Sequence, residues 1–553
     1  MPEQEPGALR QGGRQASDTD VVVVGAGFSG LYLLHKLRAI GLRTRVFEAA
    51  SDVGGTWYWN RYPGARCDVE SMQYSYSFSG ELQQDWHWSE RFSAQPEILD
   101  YARHVAERFD LRRDIDFDTR VTAAHYDAAD RRWQVETDRG ERLRARFVIM
   151  ATGCLSSAQI PEFKGLDSFA GATYHTGNWP HEEVDFTGQR AAVIGTGSSA
   201  IQAIPVIAGQ AAHLTVFQRT PNYSIPTRNG PMTPEYEQSW KSDYARLRAE
   251  ARQTSNGILA NPNEFSAMEV SAEERQRILE ERWEIGGTYF MGAFNDLATN
   301  QQSNDAAAAF VRNKIRDIVE DPEAAKLLAA KDYPIGTKRI CVDSHYFETF
   351  NRDNVTLVDV SRTPIEEITP TGLITGSRAY DFDAIVFATG FDAMTGTLLK
   401  IDIRGRDGMT LGEKWHAGPR TYLGLMSQGF PNLFMITGPG SPSVLSNMMV
   451  SIEQHVDWVV DSLAWLRDGG LETIEPTREA EDAWVAHVND VAYETLYPQA
   501  NSWYMGANIP GKPRLFLPYI GGVGAYREKC DAVAANGYEG FALAPARELT
   551  AAE

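Results

Sequence analysis

The first strongly apolar stretch, Val21-Val22-Val23-Val24, is an unbroken β-branched run, the pattern of a parallel strand covered on both faces. Gly25 to Gly30 follows, then a helical pattern from Leu31 to Ile40, then a second strand from Arg43 to Phe47 that ends at Glu48. The same order recurs later. Ala191 to Ile194 reads as a strand, Gly195 to Ala200 as a turn, the next residues as a helix rich in Ile and Ala, and Leu214 to Phe217 as a strand ending in Gln218-Arg219-Thr220. Two further apolar strands run into Ala-Thr-Gly, Phe147 to Met150 and Ala384 to Phe387, and these glycine endings mark where the chain passes between lobes. Between Pro226 and Lys331 the pattern turns charged and helical. Thr233-Pro234 reads as a helix start, Ser271 to Glu274 as a capping box, and Val311, Ile315, Ile318 and Val319 stand at helical spacing. Thr421 to Ile452 carries no charge, but Pro431, Pro439 and Pro442 break it, which predicts a buried loop and helix lining a site rather than a membrane span.

These elements predict an α/β protein with two Rossmann-like dinucleotide-binding domains and a helical insertion in the second. The expected borders are a disordered tail at 1–20, a first domain at 21–153 completed by 390–553, and a second domain at 154–225 and 332–389 around an insertion at 226–331. A chain of 553 residues is long enough for three or four lobes at about 150 residues each. The tail has no apolar core of a signal peptide or anchor. Lys and Arg number 53 against 74 Asp and Glu, a net charge of −21 that argues against nucleic acid or an anionic membrane surface as partner. The four cysteines, Cys67, Cys154, Cys341 and Cys530, form no CxxC pair and no zinc spacing, which points to a reducing, cytoplasmic setting and to no metal site.

The glycines give the two βαβ units chemical meaning. Gly25 permits a tight turn, Gly27 lets a pyrophosphate approach the backbone, and Gly30 allows the helix to pack on the strand, with Ser29 at the same helix start. Glu48 stands 23 residues beyond Gly25, where an acid meets a ribose 2′-hydroxyl. That hydroxyl is intact in FAD and NAD. In the second unit, Gly195, Thr196, Gly197, Ser198 and Ser199 form the turn, and Arg219 with Thr220 replaces the acid. A cation and a hydroxyl there suit the 2′-phosphate of NADP, the alternative for Arg219 being an ordinary surface cation. The pair implies FAD reduced by NADPH, and the lack of a paired redox cysteine disfavours a disulfide reductase.

Two longer motifs say where the electrons go. Phe169, Gly171, His175, Trp179 and Pro180 spell FxGxxxHxxxWP, and Gly54 to Asp68 fits [AG]GxWxxxx[FY]P[GM]xxxD at every fixed position. With both glycine motifs in order, the chain from about Val21 to Phe541 resembles the Baeyer–Villiger monooxygenases, nearest their phenylacetone and steroid branches. The resemblance implies that NADPH reduces FAD, that O2 adds to give a C4a-peroxyflavin, and that attack on a ketone gives a Criegee adduct that rearranges to an ester or lactone. It implies Arg339 as the catalytic cation, Asp68 as the carboxylate that holds it, and Lys338 beside Arg219 and Thr220 at the 2′-phosphate. Gly55, Trp57, Tyr74 and Met448 map to flavin contacts, though Trp57 and Tyr74 also suit a core. Trp503 maps to a loop that closes over NADP. His175, tempting as a general base, maps with Phe169, Gly171, Trp179 and Pro180 to a hinge that couples domain movement to the cofactor. Ser443, Val444 and Leu445 map to the substrate loop and imply aryl-aliphatic, bulky cyclic or steroidal ketones, while Cys154 departs from the glutamine of the phenylacetone branch. The expected partners are a small ketone and O2, with subunit number left open. Two other classes compete: an N- or S-oxygenating flavin monooxygenase or NADPH oxidase, and a non-catalytic redox-responsive binding module.

Overall fold

The computed structural model describes residues 17–546. Two parallel-rich sheets dominate the strands; a parallel pair and two small antiparallel sheets accompany them. The larger has eight strands, with Ser17–Val24 between Thr44–Phe47 on one side and Arg142–Met150 on the other. The smaller has five parallel strands in the order Val355–Asp359, His213–Gln218, Arg190–Ile194, Ala384–Phe387 and Ala172–His175. The valine run explains itself by alternation: Val21 and Val23 enter one apolar cluster, Val22 and Val24 another on the opposite face. Ala191 and Val193 against Ala192 and Ile194 repeat this in the smaller sheet.

Register places the chemistry. Val24 pairs with both Phe47 and Met150, so Gly25, Glu48 and Ala151 emerge together at the carboxyl ends of adjacent strands. The chain leaves the larger sheet after Met150 and returns after Phe387. The two crossings run side by side: Gln159 donates to the Gly390 carbonyl at 3.0 Å, Asp392 to the Ser157 carbonyl at 2.9 Å, and Met394 to the Cys154 carbonyl at 2.8 Å. Both Ala-Thr-Gly endings therefore belong to one hydrogen-bonded double linker.

Three expectations need correction. The first strand begins at Ser17, four residues before the valine run, because Ser17, Asp18 and Thr19 continue the backbone pairing with Leu143, Arg144 and Ala145. A polar segment pairs as well as an apolar one when its partner strand is already laid down. The remainder of the expected tail, 1–16, lies outside the described residues. The stretch 226–331 is not housed wholly in the second lobe. Its first helices, Pro234–Lys241 and Tyr244–Ala251, send Trp240 and Tyr244 into the core of the first lobe, whereas Ala272–Ile285 and Gln301–Ile318 pack on the second. Of the expected capping box, the Ser271 hydroxyl does accept the Glu274 N–H at 3.2 Å, while the reciprocal side-chain bond is formed instead at Thr410 and Glu413. Thr233 caps the first of these helices with Pro234 in its opening turn, as the sequence indicates.

Among the described residues no helix is long and apolar enough to cross a membrane. The charge-free stretch is a nearly continuously buried run that enters the long helix Met448–Asp468.

Candidate active site

A cavity of about 790 Å³ runs between the sheets, lined from both lobes and by the charge-free stretch. At one end stand Gly25, Gly27, Ser29 and Glu48, and the lining continues through Gly55, Trp57, Asp68, Tyr74, Arg339, Val444, Met448 and Trp503. Ser198, Gln202, Gly177 and Asn178 close it from the second lobe.

The glycine loop is shaped by contacts that a side chain would destroy. Gly25 has φ +105°, and a Cβ there would meet the Ala151 carbonyl oxygen at 2.6 Å. At Gly30 a Cβ would stand 1.9 Å from the Gly25 oxygen, so this glycine seats the helix and does not line the cavity. Glu48 is buried; its two oxygens accept the N–H groups of Ala26 at 2.6 Å and Ala50 at 2.8 Å. Burial pushes its carboxyl up, and those amides pull it back.

Asp68 and Arg339 are 271 residues apart and meet in the cavity. The guanidinium donates Nη2 to Asp68 Oδ2 at 2.6 Å and Nε to the same oxygen at 3.1 Å, and its Nη1 to the Val444 carbonyl at 3.1 Å. Arg339 reaches this place because Ser224–Pro226 pairs with Cys341–Asp343, which pins the chain two residues beyond it. The adjacent carboxylate raises the guanidinium pKa, first by charge and then by hydrogen bonding, against the opposing cost of burial. An arginine so held stays cationic at any working pH. Beside it packs an apolar cluster of Cys154, Leu155, Val444, Met448, Trp503 and Tyr504. Val444 holds φ +62°, a conformation costly for a β-branched residue. Ser443 sits behind this wall, donating to the Thr437 carbonyl at 3.2 Å, and Leu445 packs in the cluster; neither lines the cavity.

The second glycine site is open. Gly195 has φ +113° with a Cβ position 2.4 Å from the Ala388 oxygen, but at Gly197 nothing stands within 4 Å. Thr196 donates to the Thr220 carbonyl at 2.9 Å, tying the turn to the strand end that carries exposed Arg219. Lys338 lies over the Tyr333 ring at 4.7 Å, and burial followed by the neighbouring Arg219 charge lowers its pKa. Arg219, Thr220, Lys338 and Ser199 do not line the cavity, whereas Ser198 does.

His175 is buried at the end of its strand. Its Nδ1 accepts the Gly177 N–H at 2.9 Å, and Nε2 lies 3.4 Å from both the Gln159 carbonyl and Thr389 Oγ1 of the double linker. Burial lowers its pKa, so the ring is neutral. It does not touch the cavity. Trp179 donates its backbone N–H to the Trp59 carbonyl at 3.2 Å, joining the two long motifs, with Pro180 next to it. Phe169 and Gly171 lie farther off, packed against each other at the sheet edge.

Sequence reasoning missed Gln202 and Tyr504. Gln202 Oε1 accepts the Tyr62 hydroxyl at 2.9 Å and Nε2 donates to the Arg66 carbonyl at 3.1 Å, bridging the lobes. Tyr504 is buried against Arg339, whose charge counters the rise that burial imposes on its hydroxyl. Neither carries a local signal, though Tyr504 is the neighbour of Trp503.

Residues 22–306 match the family described as pyridine nucleotide-disulphide oxidoreductase. A Baeyer–Villiger monooxygenase of Pseudooceanicola batsensis is 46% identical over 529 residues, covering 94% of this chain and 96% of the relative. A phenazine N-monooxygenase of Lysobacter antibioticus is 42% identical over 528 residues, covering 95% and 97%. Among solved structures, oxidized steroid monooxygenase bound to NADP superposes with TM-score 0.92 at 55% identity, covering 96% of this chain and 100% of that one. Near-full-length similarity of this kind, on a fold of two main lobes that meet at an Asp–Arg pair, places the chain in the Baeyer–Villiger monooxygenase family of flavoproteins.

Proposed function

We propose that this chain is an NADPH- and O2-dependent, FAD-containing monooxygenase that inserts one oxygen beside a ketone carbonyl to give an ester or lactone. The observation that carries the reading is the Asp68–Arg339 pair, one partner from each side of the insertion, standing in a cavity that begins at the first glycine loop. FAD fits that loop. A Cβ at Gly27 would lie 3.4 Å from Gly55 Cα, so the two glycine turns pack backbone to backbone and line that end of the cavity without side chains. Gly25, Gly27 and Ser29 would hold the pyrophosphate, Glu48 the ribose, and Gly55, Trp57, Tyr74 and Met448 the ring.

Bound FAD supplies hydride acceptance from NADPH and activation of oxygen. The chain's own residues do the rest. Arg339 keeps a permanent positive charge where a carbonyl oxygen turns anionic, and Asp68 with the Val444 carbonyl fixes its direction. Arg219, Thr220 and Lys338 favour the 2′-phosphate of NADPH, while Trp503 covers the cavity. Neutral, buried His175 ties the fingerprint to the double linker, which supports a role in coupling the lobes rather than in proton transfer. The apolar cluster beside Arg339 excludes water and suits aryl-aliphatic, bulky cyclic or steroidal ketones. The first lobe, 17–153 with 390–546, is the FAD domain on this reading, and 154–225 with 332–389 the NADP domain. Four buried, unpaired cysteines support a cytoplasmic setting.

A second reading is N-oxygenation, favoured by the similarity to a phenazine N-monooxygenase, which overall identity does not separate from ketone oxidation. Product mass decides. Flavin-loaded protein is incubated with NADPH, labelled oxygen and either phenylacetone and a steroidal ketone or a tricyclic N-heterocycle. One labelled oxygen in an ester supports the proposal; an N-oxide without ester from any ketone transfers the protein to the second reading.

A further inference from the structure

The helices after Pro226 contribute two buried arginines that face backbone carbonyls. Arg248, 5% exposed, donates Nη1 to the Gln73 carbonyl at 2.5 Å and Nη2 to the Met72 carbonyl at 2.8 Å and Ser75 Oγ at 2.5 Å. Arg282, 9% exposed, donates Nη2 to the Asn261 carbonyl at 2.7 Å and Nη1 to the Ala260 carbonyl at 3.3 Å. Among the described residues Arg248 makes no ion pair; the acid whose charge acts on it, Glu453, is itself engaged by the Ser77 N–H and hydroxyl. Burying a guanidinium without a counter-ion is costly, so its acceptors must be arranged for it.

What separates the two arginines is where their acceptors lie. Those of Arg248 flank Tyr74, whose side chain lines the cavity and whose hydroxyl accepts the Trp57 indole N–H at 3.1 Å. The two rings stand edge to face, 5.9 Å apart at 77°. The Gln73 carbonyl is gripped a second time, by Asn447 Nδ2 at 2.8 Å, and Asn447 caps the helix that opens with Met448. Two clamps from distant parts of the chain therefore converge on one peptide beneath the cavity wall.

We propose that Arg248 is a positioning residue for the FAD cavity: it fixes the backbone at 72–75 so that Tyr74 and Trp57 form one wall of the flavin site. The first half of the helical insertion is on this account part of the flavin site. The inference rests on the assignment of FAD to this cavity, and its test does not depend on ester formation.

Arg282 supplies the matched control, a buried carbonyl-bonded arginine of the same insertion. In the holoenzyme, flavin release on heating is followed by flavin fluorescence and unfolding by far-UV circular dichroism. Wild type and Arg282→Met release flavin as they unfold, the variant at a lower temperature. Arg248→Met releases flavin before it unfolds, and its FAD dissociation constant rises about tenfold, the scale of one lost hydrogen bond to a charged group. Arg248→Lys, with the charge but fewer donors, falls between. Should Arg248→Met not fold, Arg248→Lys and Ser75→Ala carry the test, each with flavin release ahead of unfolding. Release and unfolding that stay together in every folded variant overturn the proposal. Early release in a protein that makes no ester supports it and overturns only the reaction assigned above.

Discussion

The two glycine loops of this chain start from the same plan and end in different surroundings. In the first, Gly27 packs against Gly55, Glu48 is buried, and the cavity continues to Arg339. In the second, Gly197 faces open space and Arg219 is exposed. The motif supplies phosphate recognition in both; enclosure supplies residence. Walls from several segments close around the first loop, whereas the second stands beside exposed Arg219 and half-buried Lys338. That division suits a resident flavin and an exchanging nicotinamide nucleotide.

The comparison breaks most sharply at the enclosed end. Arg339→Ala is expected to retain flavin and its reduction by NADPH while ester formation falls by about 10²–10³-fold, the scale of losing one oxyanion stabiliser. Stopped-flow reduction alongside product assay checks this, and undiminished ester would remove Arg339 from the reaction. Glu48→Ala comes next. It strands the N–H groups of Ala26 and Ala50, costs ~2–4 kcal/mol and yields protein depleted of FAD, read as flavin per polypeptide after purification. At the open site, Arg219→Ala should raise the NADPH Michaelis constant by about tenfold and leave NADH nearly unchanged, since a single exposed phosphate contact is lost. Equal weakening toward both nucleotides would sink the 2′-phosphate role.

The mildest test uses pH. Burial first, then the Arg527 charge, lowers the pKa of His455 from 6.5 to about 3, and its Nδ1 accepts the Thr437 N–H at 2.9 Å. The folded protein therefore binds this proton less readily than the unfolded chain. Stability is unaffected above pH 6.5 and falls as pH drops toward 3, by up to ~1.4 kcal/mol per pH unit. Thr437 lines the enclosed cavity, so acid should loosen flavin there before it affects NADPH selectivity. His455→Gln, neutral throughout, should flatten the dependence of flavin release on pH between 6.5 and 4.

Legibility followed the range of the interactions. Val21 to Val24, Gly25 to Gly30 and Glu48 were readable because one strand–turn–helix–strand unit contains its own reason for each residue. The Asp68–Arg339 pair was reached only through the family motif, since nothing local to either residue names a partner 271 positions away. Ser17 to Thr19 were misread as tail because their pairing with Leu143 to Ala145 is a backbone matter that side-chain hydropathy does not record. The insertion was misplaced for a related reason: helical periodicity shows that a face is apolar and is silent on which lobe it covers.

By itself the sequence determined the two dinucleotide units, the different residues that each places at the ribose position and the family of chemistry, because those depend on residue identity within short windows. The tertiary structure alone decided that one loop is enclosed and the other open, that Val444 and Asp68 jointly aim Arg339, and that Arg248 stands beneath Tyr74. Enclosure, aim and support arise from packing between segments hundreds of residues apart, and a one-dimensional pattern carries no distances across that gap.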